Sequence, residues 1–157
     1  MAYETGTKVS ASRPVLLVED NEDDIFFMQR AFKLSGIENA LMVAQDGQQA
    51  LDYLKAKGAF ADRSRFPLPC IVLLDLQLPL VKGLDVLKWM RSKHEFQTLL
   101  VVIVTSSREA RDIDSAYRLG ANSFLVKPPD EPGLREMVDG IKLYWLTLNQ
   151  LAPECME

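Results

Sequence analysis

Residues 70–79 read CIVLLDLQLP. Four aliphatic residues, Ile71–Leu74, run without a polar break and end on an acid, Asp75. A run this short, bounded by Pro69 and an acid, fits a strand buried on both faces, as the strands of a parallel sheet are. A carboxylate directly after it then stands at the carboxyl end of that strand. Similar runs occur at Val15–Val18, Leu41–Ala44, Leu100–Val104 and Ser123–Val126.

Segments of helical period separate the runs. Ile25, Met28 and Phe32 share one face, and Gly36 is placed to stop that helix. Asp46 can cap the next, with Ala50, Leu51 and Leu54 facing inward until Gly58. Leu84, Leu87 and Met90 define a third. Ser106 and Glu109, at capping-box spacing, open a fourth that carries Ala110, Ile113 and Tyr117. Leu134, Val138, Ile141, Trp145 and Leu148 mark the last. Strict alternation predicts right-handed crossovers and an α/β fold: a doubly wound, five-stranded parallel sheet of flavodoxin-like order 2-1-3-4-5, sandwiched between helices in three αβα layers.

One such domain, over residues 14–148, accounts for most of the 157 residues. Residues 1–13 read as a polar leader and 149–157 as a tail broken by Pro153. Residues 58–69, GAFADRSRFPLP, form a long connection that Pro67 and Pro69 keep out of helix; Arg63 and Arg65 in it are expected to be solvated.

Composition narrows the function classes. With 48% hydrophobic and 25% charged residues the chain can bury a core, and its net charge of −4 argues against a dedicated nucleic-acid binder. No apolar run reaches the roughly 18 residues of a membrane span, and the leader lacks the apolar stretch of an export signal. The expected location is therefore cytoplasmic, with Cys70 and Cys155 reduced and not joined to each other. His94 and two scattered cysteines do not make a zinc site.

In open α/β sheets, sites form outside the carboxyl ends of the strands, near the point where strand order reverses. The residues predicted there are Glu19 and Asp20 after the first strand, Asp75 after the third, Thr105 after the fourth and Lys127 after the fifth. Three carboxylates in one crevice repel one another unless a cation intervenes, and an all-oxygen set suits Mg²⁺. Asp75 could then attack phosphorus, with Lys127 and the Thr105 hydroxyl neutralising the phosphoryl oxygens. Taken singly, each residue has a plainer reading. Glu19-Asp20 could be the acidic start of a helix, Thr105 a strand end, and Lys127 a solvated turn residue. It is the set, at successive strand ends, that points to phosphoryl chemistry.

LLVEDN (16–21), VLLDLQLP (72–79), VIVTSS (102–107) and FLVKPP (124–129) resemble the four signatures of response-regulator receiver domains, and the likeness runs from about Pro14 to about Leu148. The resemblance implies that Asp75 accepts a phosphoryl group from a histidine kinase or phosphotransfer protein. It implies a Mg²⁺ site of Glu19, Asp20, Asp75 and the Gln77 backbone carbonyl, Thr105 and Phe124 as the switch pair, and a cis peptide between Lys127 and Pro128. Glu19 replaces the commoner Asp, so a water-mediated metal contact is expected there; Lys82 stands before Gly83 where an acid is frequent; Phe124 has no hydroxyl. VEDN, the long Pro-bearing loop and Tyr144-Trp145-Leu146 further resemble stand-alone regulators of cyanobacterial phytochrome kinases. A phosphatase of the haloacid-dehalogenase type uses similar residues, but its nucleophile lies in the first strand, which here ends in Glu-Asp. A receiver that binds partners without phosphate would usually lack the acceptor or the lysine. Leu143, Tyr144 and Leu146, off the core stripe of the last helix, predict a homodimer through the fourth helix, fifth strand and last helix, unless a tail containing Leu151 covers them.

Overall fold

The computed structural model describes residues 13–153. Its strands are β1 (Val15–Val18), β2 (Leu41–Ala44), β3 (Ile71–Leu74), β4 (Leu100–Thr105) and β5 (Ser123–Val126). All pair in parallel, in the order β2-β1-β3-β4-β5. The helices are α1 (Glu22–Leu34), α2 (Gly47–Lys55), α3 (Gly83–Ser92), α4 (Ala110–Arg118) and α5 (Glu131–Ile141). Fold class, strand order and the five runs agree with the sequence reading, β4 extending one residue further to include Thr105.

Alternate strand residues feed two separate cores, which is why the runs are continuously apolar. Leu16, Val18, Val72, Leu74, Val101 and Ile103 pack with α2, α3 and α4, against residues such as Leu54, Leu87, Met90 and Ala116. Val15, Leu17, Ile71, Leu73, Val102 and Val104 face α1 and α5, meeting Ile25, Met28, Phe32, Val138 and Ile141. A one-residue slip in any of these strands would exchange its two sets of neighbours, so the register is strongly fixed.

Helix ends follow local chemistry, with three departures from expectation. Asp46 caps α2 as expected, accepting from the Gln49 N–H at 2.7 Å. The helix nevertheless ends before Gly58, at Ala56, which itself takes the left-handed conformation (φ 54°). At α4 the expected Ser106–Glu109 box does not form. The Ser107 hydroxyl instead donates to Asp112 and accepts from the Glu109 N–H, and the helix starts at Ala110. Its buried residue is accordingly Ala116, while Ala110 and Tyr117 are exposed.

The third departure is in the last helix. α5 continues through Lys142–Leu148 as a π-helical turn, closed by the Asn149 N–H to the Tyr144 carbonyl at 2.7 Å. The wider winding keeps Trp145 on the core and brings Leu146 onto it, but turns Leu148 to solvent at 62% exposure. Leu151 folds back onto the same core. Leu143 and Tyr144 remain exposed.

The long connection is built rather than loose. Tyr53 is fully buried and donates its hydroxyl to the Pro67 carbonyl at 2.8 Å; its ring meets Phe60 and Phe66. Arg63, expected in solvent, donates to the carbonyls of Tyr53, Leu54 and Phe66 at 2.7, 2.6 and 3.1 Å, so it closes the open end of α2. Arg65 is exposed, as expected. Arg63→Ala should therefore lower unfolding stability by ~1–3 kcal/mol, since it takes a donor from three carbonyls and leaves Tyr53's with only the Ala56 N–H at 3.2 Å. Arg65→Ala should change stability by less than ~0.5 kcal/mol. Urea titrations of the two variants would check this, and equal effects would contradict the capping role.

Among the described residues no helix is long and apolar enough to cross a membrane. Cys70 is buried, with its Sγ 3.8 Å from the Arg13 carbonyl oxygen. Cys155 and nearly all of the leader lie outside the described residues.

Candidate functional site

The carboxyl ends of β1, β3, β4 and β5 lie side by side, and the loops that leave them define one crevice. Glu19 follows β1 and is 3% exposed; Asp75 follows β3 and is 5% exposed; Thr105, the last residue of β4, is fully buried. Lys127 lies one residue past β5, where its N–H still donates to the Thr105 carbonyl at 2.8 Å and so prolongs the ladder.

From there the Lys127 ammonium reaches across the crevice. It donates to Asp75 Oδ2 at 2.8 Å, to Asp24 Oδ2 at 3.0 Å and, most closely, to Glu19 Oε2. Glu19 Oε1 accepts from the Asn21 N–H, and Asp75 Oδ1 from the Gln77 N–H, both at 3.1 Å. Burial raises the Glu19 carboxyl to about 7, aided by the charge on Asp75 and opposed by the bonds from Lys127 and Asn21. Burial also works against the Lys127 charge, but Asp75 and Glu19 outweigh it and hold the ammonium above the ordinary lysine value. Lys127 therefore stays charged at any physiological pH.

The expected cis bond between Lys127 and Pro128 is not present: the described residues contain no cis peptide. The trans form is the lower in energy by ~0.5–1 kcal/mol. It suffices here because the prolonged ladder already sets Lys127 at the crevice wall, and its long side chain spans the rest.

Asp20 is exposed and makes no contact with Lys127, yet its carboxylate joins the group: one oxygen each from Glu19, Asp20 and Asp75 lie within 4.8 Å of one another. These are hard oxygen donors. Glu19, Asp20, Asp24 and Asp75, when ionised, carry four negative charges against one from Lys127, so the set fits a divalent cation, with Asp20 giving access from solvent. Gln77 offers its N–H to Asp75. Phe124 is half-buried against the α2–α4 core and pairs with Ile103 across β4 and β5. It therefore lies on the face toward which Thr105, two residues from Ile103, also points.

Asp24 was not among the predicted site residues. Its only sequence signal is its place three residues after Asn21, whose side chain accepts from the Asp24 N–H at 3.0 Å and so fixes where the first turn of α1 points.

Comparison with known proteins bears on this geometry. The family model "Response regulator receiver domain" matches residues 15–139. The chain belongs to the response-regulator receiver family. It is therefore a receiver-domain response regulator of two-component signalling. It is 37% identical over 154 residues to the probable methanogenesis regulatory protein FilR2 of Methanothrix harundinacea, covering 96% of this chain and 97% of that protein. To the response regulator Rcp1 of Synechocystis it is 33% identical over 132 residues, 84% of this chain and 88% of the relative. The crystal structure of Mn²⁺-bound Rcp1 superposes with a TM-score of 0.81 at 32% identity, over 89% of this chain and 99% of that one. The phosphorylated cyanobacterial phytochrome response regulator RcpA gives 0.82 at 32% identity, over 88% and 97%. The resemblance to phytochrome-type regulators read from the sequence thus holds.

Proposed function

We propose that Asp75 of this receiver accepts a phosphoryl group from a phosphohistidine on a histidine kinase, of phytochrome type, or on a phosphotransfer protein. The observation that carries the reading is the Lys127 ammonium held against the nearly buried Asp75 carboxylate in a crevice of three further acids. Glu19, Asp20, Asp75 and the Gln77 carbonyl would hold Mg²⁺, which when bound offsets charge on the phosphoryl oxygens. A carboxylate oxygen of Asp75 forms the new bond to phosphorus. The donor's P–N bond breaks, and its electron pair stays on the imidazole, which takes up a proton. Lys127 balances charge on the transferred group, and the N–H of Gln77 orients Asp75. Manganese in Rcp1 and phosphorylation of RcpA, both similar chains, support this reading.

Thr105 and Phe124 share one face of adjacent strands, which supports their reading as the switch: the Thr105 hydroxyl follows the phosphoryl group and Phe124 repacks. On this reading the chain acts as a phosphorylation-controlled module. Acetyl phosphate with Mg²⁺ should add one phosphoryl group, and EDTA should prevent it. Labelling that persists in EDTA would remove the metal from the reading.

The exposed Tyr117, Leu143 and Tyr144 support a homodimer through α4, β5 and α5. Sedimentation with beryllofluoride should show a dimer that Tyr144→Ala weakens. A monomer at high micromolar concentration, with and without beryllofluoride, would rule it out.

A further inference from the structure

The loop from Asp75 to Gly83 has a feature that the site chemistry does not use. Leu80 has φ 65°, in the left-handed region, and the Val81 N–H donates to the Pro79 carbonyl at 2.9 Å. An i to i+2 bond around a positive φ is a γ-turn of the rare, strained kind, and the Cβ of a residue other than glycine at its centre adds to the strain. The turn is clamped from both ends. The Gly47 N–H approaches the Pro79 carbonyl at 3.4 Å, and a Cβ on Gly47 would meet the Val81 carbonyl oxygen at 1.8 Å. A Cβ on Gly83 would meet the Asp75 carbonyl oxygen at 2.1 Å. Two glycines thus let neighbouring backbone press on the loop and hold its shape.

Packing does not explain the leucine. Leu80 is 82% exposed, more than any other large apolar residue described. Asparagine or glycine would take the same backbone conformation with less strain and lose no buried contact. Position explains it better. The loop starts at Asp75, donates to its carboxylate through Gln77 and touches the N-terminus of α2, so Leu80 stands on the rim of the crevice. Asp75 lies at the bottom, 5% exposed, so a donor protein must bring its imidazole close against the loops around the crevice.

We propose that Leu80 is a fixed apolar contact for the phosphodonor protein, packing beside its phosphohistidine, and so a determinant of which donor is accepted. This rests on Asp75 as acceptor. The rigid turn presents the side chain already ordered, which lowers the entropic cost of docking.

The test compares two donors on wild type, Leu80→Asn and Leu80→Gly. Acetyl phosphate is too small to touch the rim, so all three should be labelled at the same rate. From an autophosphorylated cyanobacterial phytochrome histidine kinase, both variants should accept at least ~10-fold more slowly, through a higher KM at similar kcat. Their thermal midpoints should rise, not fall. Kinase transfer equal to wild type, equal losses with both donors, or a wild type that takes phosphate from acetyl phosphate but not from this kinase would each overturn the proposal. Absence of labelling from acetyl phosphate in wild type would instead bring down Asp75 as acceptor, and the inference with it.

Discussion

Asparagine at position 75 should leave a folded protein that acetyl phosphate no longer labels. The side chain keeps its shape, so the Gln77 N–H that now donates to Oδ1 at 3.1 Å finds an amide oxygen in the same place. Strand β3, buried throughout, is unchanged. What disappears is the negative oxygen able to attack phosphorus, and no neighbour can replace it. Glu19 is paired with Lys127 and the Asn21 N–H, and Asp20 opens to solvent. The loss should therefore be complete rather than partial. Divalent-cation affinity should also weaken, because one of three carboxylates is removed. Intact-mass measurement after acetyl phosphate treatment, with a thermal melt to establish folding, decides the matter. A label that survives in a folded Asp75→Asn protein would move the chemistry to another residue.

What was legible in the sequence was what depends on short-range pattern. Ile71–Leu74 and Val15–Val18 are continuous apolar runs because each strand feeds two cores, as the less buried strand Leu41–Ala44 also does. Once the strands were placed, the topology brought Glu19, Asp75, Thr105 and Lys127 to one edge of the sheet. Features set by exact backbone path were not legible. Asp24 meets Lys127 only because Asn21 caps α1 at that residue and no other. The π-helical turn at Lys142–Leu148 leaves no mark in the spacing of Leu134, Val138 and Ile141, so Leu148 was expected on the core and lies in solvent. Arg63 reads as a loop charge until the open carbonyls of α2 are seen beside it. The trans bond at Lys127–Pro128 has no sequence signal either.

Lys127→Met should separate two roles that one ammonium now fills. Methionine keeps the apolar stem and loses the charge. Without it, labelling by acetyl phosphate in Mg²⁺ should fall by ~10²–10³-fold, the usual cost of removing a donor aimed at developing negative charge. Mg²⁺ affinity should move the other way. Lys127 donates to Glu19 and Asp75, both proposed ligands, so it competes with the ion for the same oxygens. Metal-free stability should drop, because Glu19 and Asp75 are left buried and unpaired, a change that costs ~3–5 kcal/mol when both remain ionised. Protonation limits the loss. Glu19 is already pushed up to about 7, and removing its cationic partner pushes it higher. An acid whose folded pKa lies above its unfolded value gains stability as pH falls through that window, so the deficit should be smaller at pH 6 than at pH 8. Added Mg²⁺ should recover more of it at pH 8, where the carboxylates are ionised. Calorimetric Mg²⁺ titration of both proteins at the two pH values gives the deciding sign. If the variant binds Mg²⁺ more weakly than wild type at pH 8, then Lys127 supports the metal-binding arrangement of the acids and does not compete for it.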